Sequence, residues 1–343
     1  MRSMAPRAII IDCDPGQDDA VAILLALASP DELDVLGITT VAGNVPLALT
    51  AKNARKMCEL AGRTDVPVFA GCARPLMRPL RTAEDVHGKT GLDGAGLPDP
   101  RIKLEDRHGV DFLVDALKQA PDAGVTLCAL GPLTNLAMAL VKAPEIAGRI
   151  REIVLMGGAF GEGNTTPAAE FNIYVDPQAA HVVFTAGVPI TMMGLDVTHQ
   201  ALTTPERLKA IRAIGTPVAA AVAGMLAFYD RHDVARYGMP GGPLHDPCVI
   251  AYLLRPELFS GRQAHVAVET GSELTMGRTV VDRWGLTDLP PNAQVMDQID
   301  ADGYYALIIE RLRRLPLAAQ GKSQRRGRRA RRTAPSKGRE IRG

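Results

Sequence analysis

The chain has 343 residues, 46 % hydrophobic, 22 % charged and only 4 % aromatic, with a formal net charge of +1. That length buries a sizeable core, and so few aromatic rings speak against a stacking platform for single-stranded nucleic acid. No stretch reaches the roughly 18 uninterrupted apolar residues of a membrane span, and the apolar run after Arg7 is broken at once by Asp12 and Asp14, so we expect neither a membrane segment nor a secretory signal.

Arg7–Cys13 (RAIIIDC) reads as a buried strand, followed by a helix over Asp18–Ala28 that stops at Ser29-Pro30. Val35–Val41 is a second strand and Leu47–Leu60 a second helix. Further strands are expected at Val66–Ala70, Val125–Leu130, Ile150–Met156, Pro189–Leu195 and Ala264–Val268. Further helices are expected at Val110–Gln119, Leu133–Lys142, Pro177–Ala186, Pro205–Ala213, Val218–Tyr229, Asp246–Leu254 and Gly303–Arg314. Strands that are continuously apolar and separated by helices indicate an α/β fold, an open, mostly parallel, Rossmann-like sheet with helices on both faces. Residues 71–108, 157–173 and 231–245 are long and weakly patterned, as functional loops are.

No linker precedes residue 320, so 1–320 reads as one domain and 321–343 as a tail. The tail holds ten Lys/Arg and one acid, leaving 29 basic and 37 acidic residues in the body. A basic segment with one large aliphatic residue, Ile341, cannot form a core. It reads as a solvated, disordered extension, with weak polyanion binding as the alternative. The five cysteines are scattered, odd in number and without a CxxC pair. They indicate a reducing compartment, and we expect a cytoplasmic protein.

Ligands of such sheets sit at the carboxyl ends of the strands. Directly after the first strand come Asp12, Asp14, Asp18 and Asp19, four carboxylates in eight residues, with Pro15-Gly16 making the turn. The N-terminus of the following helix favours negative charge by only about 0.3–1 kcal/mol, too little to offset such crowding. No Lys or Arg lies among them. A hard divalent cation with oxygen ligands, Ca²⁺ or Mg²⁺, answers the need; the alternative is a solvated, capping acidic turn. His245 beside Asp246, which opens a later helix, is placed as a general acid or base; taken singly it reads better as a satisfied structural histidine. Gly157-Gly158 lacks the spacing of a nucleotide-phosphate loop.

The segment IIIDCDPGQDDAVAILLAL at residues 9–27 resembles the N-terminal DxDPGxDDA fingerprint of the inosine–uridine-type nucleoside hydrolases. Companions follow in the same order: the run ending at Asn44, HGKTG at 87–91, ALGPLTNLA at 129–137, LMGGAF at 155–160, AEFN ending at Asn172, and LHDP at 244–247. The resemblance spans about residues 8–315 and implies that family's α/β fold, usually assembled as homodimers or homotetramers. It implies hydrolysis of the N-glycosidic bond of ribonucleosides with Ca²⁺ held by Asp14, Asp19, Asp246 and the backbone carbonyl of Leu130. Asp14 takes a proton from the attacking water, Asp12 supports the metal site, and His245 protonates the leaving base. Asp18 and Asn172 hold the ribose 2′-hydroxyl, Asp246 the 3′-hydroxyl, and Asn164 and Glu170 the 5′-hydroxyl. Asn44 and Met156 line the pocket, His87 and Phe171 lie near the base, and a mobile lid between Phe228 and Gly242 offers Tyr229, Arg231 and Tyr237.

Two other readings compete. A haloacid-dehalogenase-like phosphatase also has DxD after its first strand, but wants Thr or Val where Gly16 stands. A non-catalytic calcium- or ribose-binding module would need no general acid at His245. Truncation after Gln320 is expected to leave nucleoside turnover within about twofold while abolishing salt-sensitive polyanion binding. Steady-state kinetics and binding to heparin at two salt concentrations check this; a large loss of turnover contradicts it.

Overall fold

The protein, seen in a computed structural model, is described over residues 5–315 apart from the side chains of residues 232, 233, 236 and 237. The basic tail lies outside the described residues. The chain begins β1 (Arg7–Cys13), α1 (Gln17–Leu27), β2 (Leu33–Thr40), α2 (Leu47–Leu60), β3 (Val68–Ala70), α3 (Glu84–His87), α4 (Gly109–Gln119), β4 (Val125–Ala129), α5 (Thr134–Lys142) and β5 (Ile150–Met156). It continues α6 (Phe171–Val175), α7 (Pro177–Phe184), β6 (Ile190–Met193), α8 (Leu195–Thr198), β7 (Leu202–Thr203), α9 (Pro205–Arg212), α10 (Pro217–Tyr237) and β8 (Gly242–Pro243). It ends α11 (Pro247–Leu254), β9 (Phe259–Val268), β10 (Thr279–Asp282), β11 (Ala293–Ile299) and α12 (Ala301–Leu312).

Nine strands form one sheet in the order β10-β9-β11-β6-β5-β4-β1-β2-β3. Every neighbouring pair from β11 to β3 is parallel; β9 alone runs against its neighbours. In β1 the fully buried Ile9 and Ile11 face one core and Ile10 the other, as a two-residue repeat requires. The first core holds α1, α2, α10, α11 and α12; the second holds α4, α5 and α7. All eleven residues of α1 are buried. Its continuous apolar surface suits a helix wrapped by neighbours on every side, and it carries Asp18 and Asp19 in a fixed orientation. Among the described residues no helix is long and apolar enough to cross a membrane.

Two features depart from the sequence reading. β10 and β11 were not anticipated, and β9 begins five residues before the expected Ala264. β11 (AQVMDQI) interleaves polar and apolar residues at the antiparallel end of the sheet, so it lacks the continuous apolar run of β1. The stretch expected as a loop from Phe228 to Gly242 is instead helical to Tyr237 and ends at Gly238, whose φ of 64° is the left-handed cap glycine allows. Its last two turns, RHDVARY, carry no apolar stripe, which hid the helix from a periodicity argument.

Candidate active site

The strand order reverses at β1. The chain runs outward through β2 and β3, then returns to β4 on the other side of β1. A crevice opens at the carboxyl ends of strands at such a reversal, and the chemistry of this chain gathers there. Asp14 to Asp19 follow β1, Asn44 follows β2, Leu130 follows β4 and Met156 ends β5. A cleft of about 920 Å³, counting its open mouth, lies above them. Its walls include Asp18, Asn44, Leu130 and Met156 from these strand ends, and Asn164, Glu170, Phe171 and Asn172 from the segment entering α6. His87, His245 and Asp246 lie in the wall with them. Asp14 and Asp19 lie beneath the floor and do not line the cleft.

Asp14, Asp18, Asp19 and Asp246 are all buried, at 5 % exposure or less. Asp19 caps its own helix: Oδ2 accepts from the Gly16 amide at 3.0 Å and Oδ1 from the Asp14 amide at 3.1 Å. Asn44 binds the cluster twice, its amide donating to Asp14 Oδ2 at 2.7 Å and its side chain to Asp19 Oδ2 at 3.1 Å. Carboxylate oxygens of Asp18, Asp19 and Asp246 come within 4.8 Å of one another. Burial dominates their titration; repulsion by a neighbouring carboxylate adds to it at Asp14, Asp18 and Asp246, whereas the Gly16 amide opposes it at Asp19. Asp18 is pushed up to about 8, Asp19 by burial to about 6, and Asp14 and Asp246 stand well above the ordinary carboxylate range. Asp12, held by Thr39 and by Asn135 at 2.7 Å, is raised by burial to about 7.

Asp14 Oδ1 and Asp18 Oδ1 are buried acceptors without a hydrogen-bond partner. Such groups are rare in folded proteins. Here they sit in an all-oxygen set that fits a hard divalent cation. Two glycines make room for Asp14: a Cβ on Gly43 would fall 2.0 Å from Oδ2, and one on Gly131 would fall 2.3 Å from Oδ1.

Asn172 ties the strand ends together, its side-chain amide donating to the carbonyls of Leu130 at 2.7 Å and Met156 at 3.1 Å. Glu170 caps α6. Its oxygens accept from the amides of Asn172, Gly158 and Ile173, and burial raises it to about 7 against those bonds. Asn164 Oδ1 accepts from the Phe171 amide at 3.0 Å.

The Gln17 side chain donates to the carbonyl of His87 at 2.9 Å and accepts from His87 Nδ1 at 2.8 Å, and the His87 ring lies 5.3 Å from that of Tyr229. His245 Nδ1 meets Thr198 Oγ1 at 2.7 Å, and its ring lies 5.6 Å from that of His199. Burial, then the neighbouring imidazoles of His199 and His87, hold His245 well below the ordinary histidine value.

Of the lid candidates, Tyr229 lines the cleft from α10. Arg231 is exposed and lies 3.6 Å over the Phe228 ring instead, and the Tyr237 side chain is outside the described residues. Sequence reasoning missed His199, Arg81 and Thr165 in the cleft wall. His199 caps the carboxyl end of α8, the short helix after β6, and no sequence pattern marks it. Asp196, nearer the end of β6, accepts from the amides of Phe160 and Gly161 and anchors the loop beyond β5.

Residues 9–306 match the sequence profile of the inosine-uridine preferring nucleoside hydrolases. The pyrimidine-specific ribonucleoside hydrolase RihA of Shewanella sp. MR-7 is 51 % identical over 307 residues, 89 % of this chain and 96 % of that protein. An uncharacterized Schizosaccharomyces pombe protein is 52 % identical over 309 residues, 90 % of this chain and 99 % of its own length. Among solved structures, a purine-preferring ribonucleoside hydrolase from Gardnerella vaginalis superposes with a TM-score of 0.83 at 34 % identity, covering 90 % of this chain and 98 % of that one.

The buried carboxylates set a pH dependence. Their folded values, about 6 to 8 where numbered, exceed the roughly 3.9 of an unfolded aspartate. The native chain therefore holds protons that the unfolded chain releases, and metal-free stability falls as pH rises from about 4 through about 8. A cation needs the ionised groups, so its stabilisation grows over the same window. Melting temperatures of chelated protein from pH 5 to pH 8, with and without millimolar CaCl₂, are expected to diverge with rising pH. A cation-induced increment that is constant or larger at pH 5 contradicts this.

Proposed function

The chain belongs to the inosine–uridine preferring nucleoside hydrolase family and hydrolyses the N-glycosidic bond of ribonucleosides to ribose and free base, and from that premise we propose that it acts with Ca²⁺ held by Asp14, Asp19, Asp246 and the carbonyl of Leu130. The observation that carries this reading is the buried carboxylate cluster at the cleft, with the unpartnered oxygens of Asp14 and Asp18. The cluster contains no histidine or cysteine, which favours calcium over zinc. When bound, the ion neutralises the crowded carboxylates and lowers the pKa of a water beside it.

The protein's own groups then divide the work. Asp14, with Oδ1 unpartnered, accepts a proton from the water that attacks the anomeric carbon. Asp18, whose carboxyl reaches the cleft where those of Asp14 and Asp19 do not, holds the 2′-hydroxyl with Asn172. Asp246 takes the 3′-hydroxyl, and Asn164 and Glu170 the 5′-hydroxyl through lone pairs their backbone contacts leave open. Asn44 and Met156 pack the sugar pocket. Anionic oxygens beneath the ring stabilise the oxocarbenium-like transition state. Three held hydroxyls orient the sugar. His87 and Phe171 flank the base, and His245, taking up a proton from solvent as negative charge develops on the base, passes its Nε2 proton to the leaving nitrogen and returns to the neutral ring. The resting His245 ring is neutral by burial, so its first contribution is a hydrogen bond to the base that strengthens as negative charge develops there.

Uridine and cytidine are the preferred substrates in this reading. It is supported by about 50 % identity to hydrolases named pyrimidine-specific, against 34 % to one named purine-preferring. Exposed apolar side chains between residues 274 and 289, Trp284 and Leu286 among them, support assembly as a homodimer or homotetramer. Five free thiols accord with the cytoplasm.

Hydrolysis rates for uridine, cytidine, inosine, adenosine and guanosine test the base preference, and faster inosine than uridine turnover contradicts it. His245→Ala is expected to slow the best nucleoside by roughly 10²–10⁴, about 3–5 kcal/mol of barrier. p-Nitrophenyl riboside, whose leaving group needs no proton, should be cleaved nearly as fast as by the unaltered enzyme. Equal slowing of both substrates with calcium retained rejects the general-acid role.

A further inference from the structure

Thr198 is the last residue of α8, the short helix directly after β6, and is fully buried. Its backbone is committed: the amide donates to the Gly194 carbonyl at 3.1 Å, and its carbonyl accepts from the Ala201 amide at 3.0 Å. Its helix is braced from the sheet by Gln200, which donates to the carbonyls of Asp196 at 2.7 Å and Asp297 at 2.9 Å. The hydroxyl meets His245 Nδ1 at 2.7 Å across 47 residues of sequence. A threonine side chain is stiff about its first torsion, so this oxygen is a fixed point for the ring.

We propose that Thr198 is a positioning residue that orients the His245 imidazole and keeps a hydrogen on Nε2, the nitrogen left to meet the departing base. The inference rests on the reading of His245 as the group that delivers hydrogen to the base.

The argument is one of donors and acceptors. A hydroxyl has one proton and two lone pairs. If Thr198 donates to Nδ1, the neutral ring carries its hydrogen on Nε2. The reverse arrangement, Nδ1–H donating to the hydroxyl, leaves a fully buried hydroxyl proton with no acceptor among the described residues, which folded proteins avoid. When the ring is cationic both nitrogens carry hydrogen, and the hydroxyl turns to accept. In either charge state Nε2 holds a hydrogen, and the ring keeps the same edge toward the cleft. Valine has nearly the same shape but no hydroxyl. It leaves Nδ1 without a partner, so the two neutral tautomers interchange and the ring can turn. Serine keeps the hydroxyl.

The test uses the full-length, calcium-loaded enzyme with its best nucleoside and with p-nitrophenyl riboside. Thr198→Val is expected to lower kcat for the nucleoside by about 10–100-fold, the usual cost of losing the partner that orients a working imidazole. KM and the activated riboside should change by less than about threefold, because neither sugar binding nor the water depends on this ring. Thr198→Ser should restore the nucleoside rate to within about threefold, and Thr198→Val combined with His245→Ala should be no slower than His245→Ala alone. Thr198→Ala carries the same expectation as the valine variant if valine does not fold. Equal slowing of both substrates, no rescue by serine, or an unaltered rate in Thr198→Val overturns the proposal. If His245→Ala shows leaving-group dependence and Thr198→Val does not, Thr198 alone is excluded. If His245→Ala slows both substrates equally, the role of His245 fails and this inference fails with it.

Discussion

Four carboxylates buried together at the end of one strand, with burial the main influence on each and repulsion by a neighbouring carboxylate next for Asp14, Asp18 and Asp246, are the constraint on which the rest of the structure depends. Repulsion and desolvation both oppose ionisation there, so the arrangement persists only through protonation or a bound cation. Much of the surrounding fold holds the carboxylates in place. Asn44 donates to Asp14 and Asp19, the Gly16 and Asp14 amides hold Asp19 from its other side, and Gly43 and Gly131 leave no side chain where Asp14 must stand.

The sheet supplies the location. Strand order reverses at β1, so neighbouring connections diverge and open the crevice. A helix buried along its whole length then fixes Asp18 and Asp19 rigidly. The other side of the cleft is built differently, from histidines on three separate segments whose rings are fixed by side chains around them. In the proposed reaction this division suits the chemistry: sugar and water need fixed charges, whereas the base needs one well-aimed hydrogen.

The sheet centre and the acidic cluster were legible because their patterns are local. Ile9 to Ile11 form a continuous apolar run, and the aspartates crowd into eight residues directly after it. β10 and β11 were not legible, because half-polar strands beside the antiparallel β9 resemble loops. The end of α10 was hidden by its lack of an apolar face. Glu170 read as a ligand for the ribose, and its capping of α6 appears only in three dimensions. His199 and the hydroxyl of Thr198 carry no sequence signature, since their meaning comes from His245, nearly fifty residues away.

The central claim is that the carboxylate cluster exists to hold a cation that the reaction needs. Elemental analysis of purified protein, with turnover measured before and after exhaustive chelation, tests it most directly. The account predicts about one Ca²⁺ per chain, loss of turnover on its removal, recovery on its return, and neither binding nor turnover in Asp14→Ala. Full turnover by metal-free protein would contradict it.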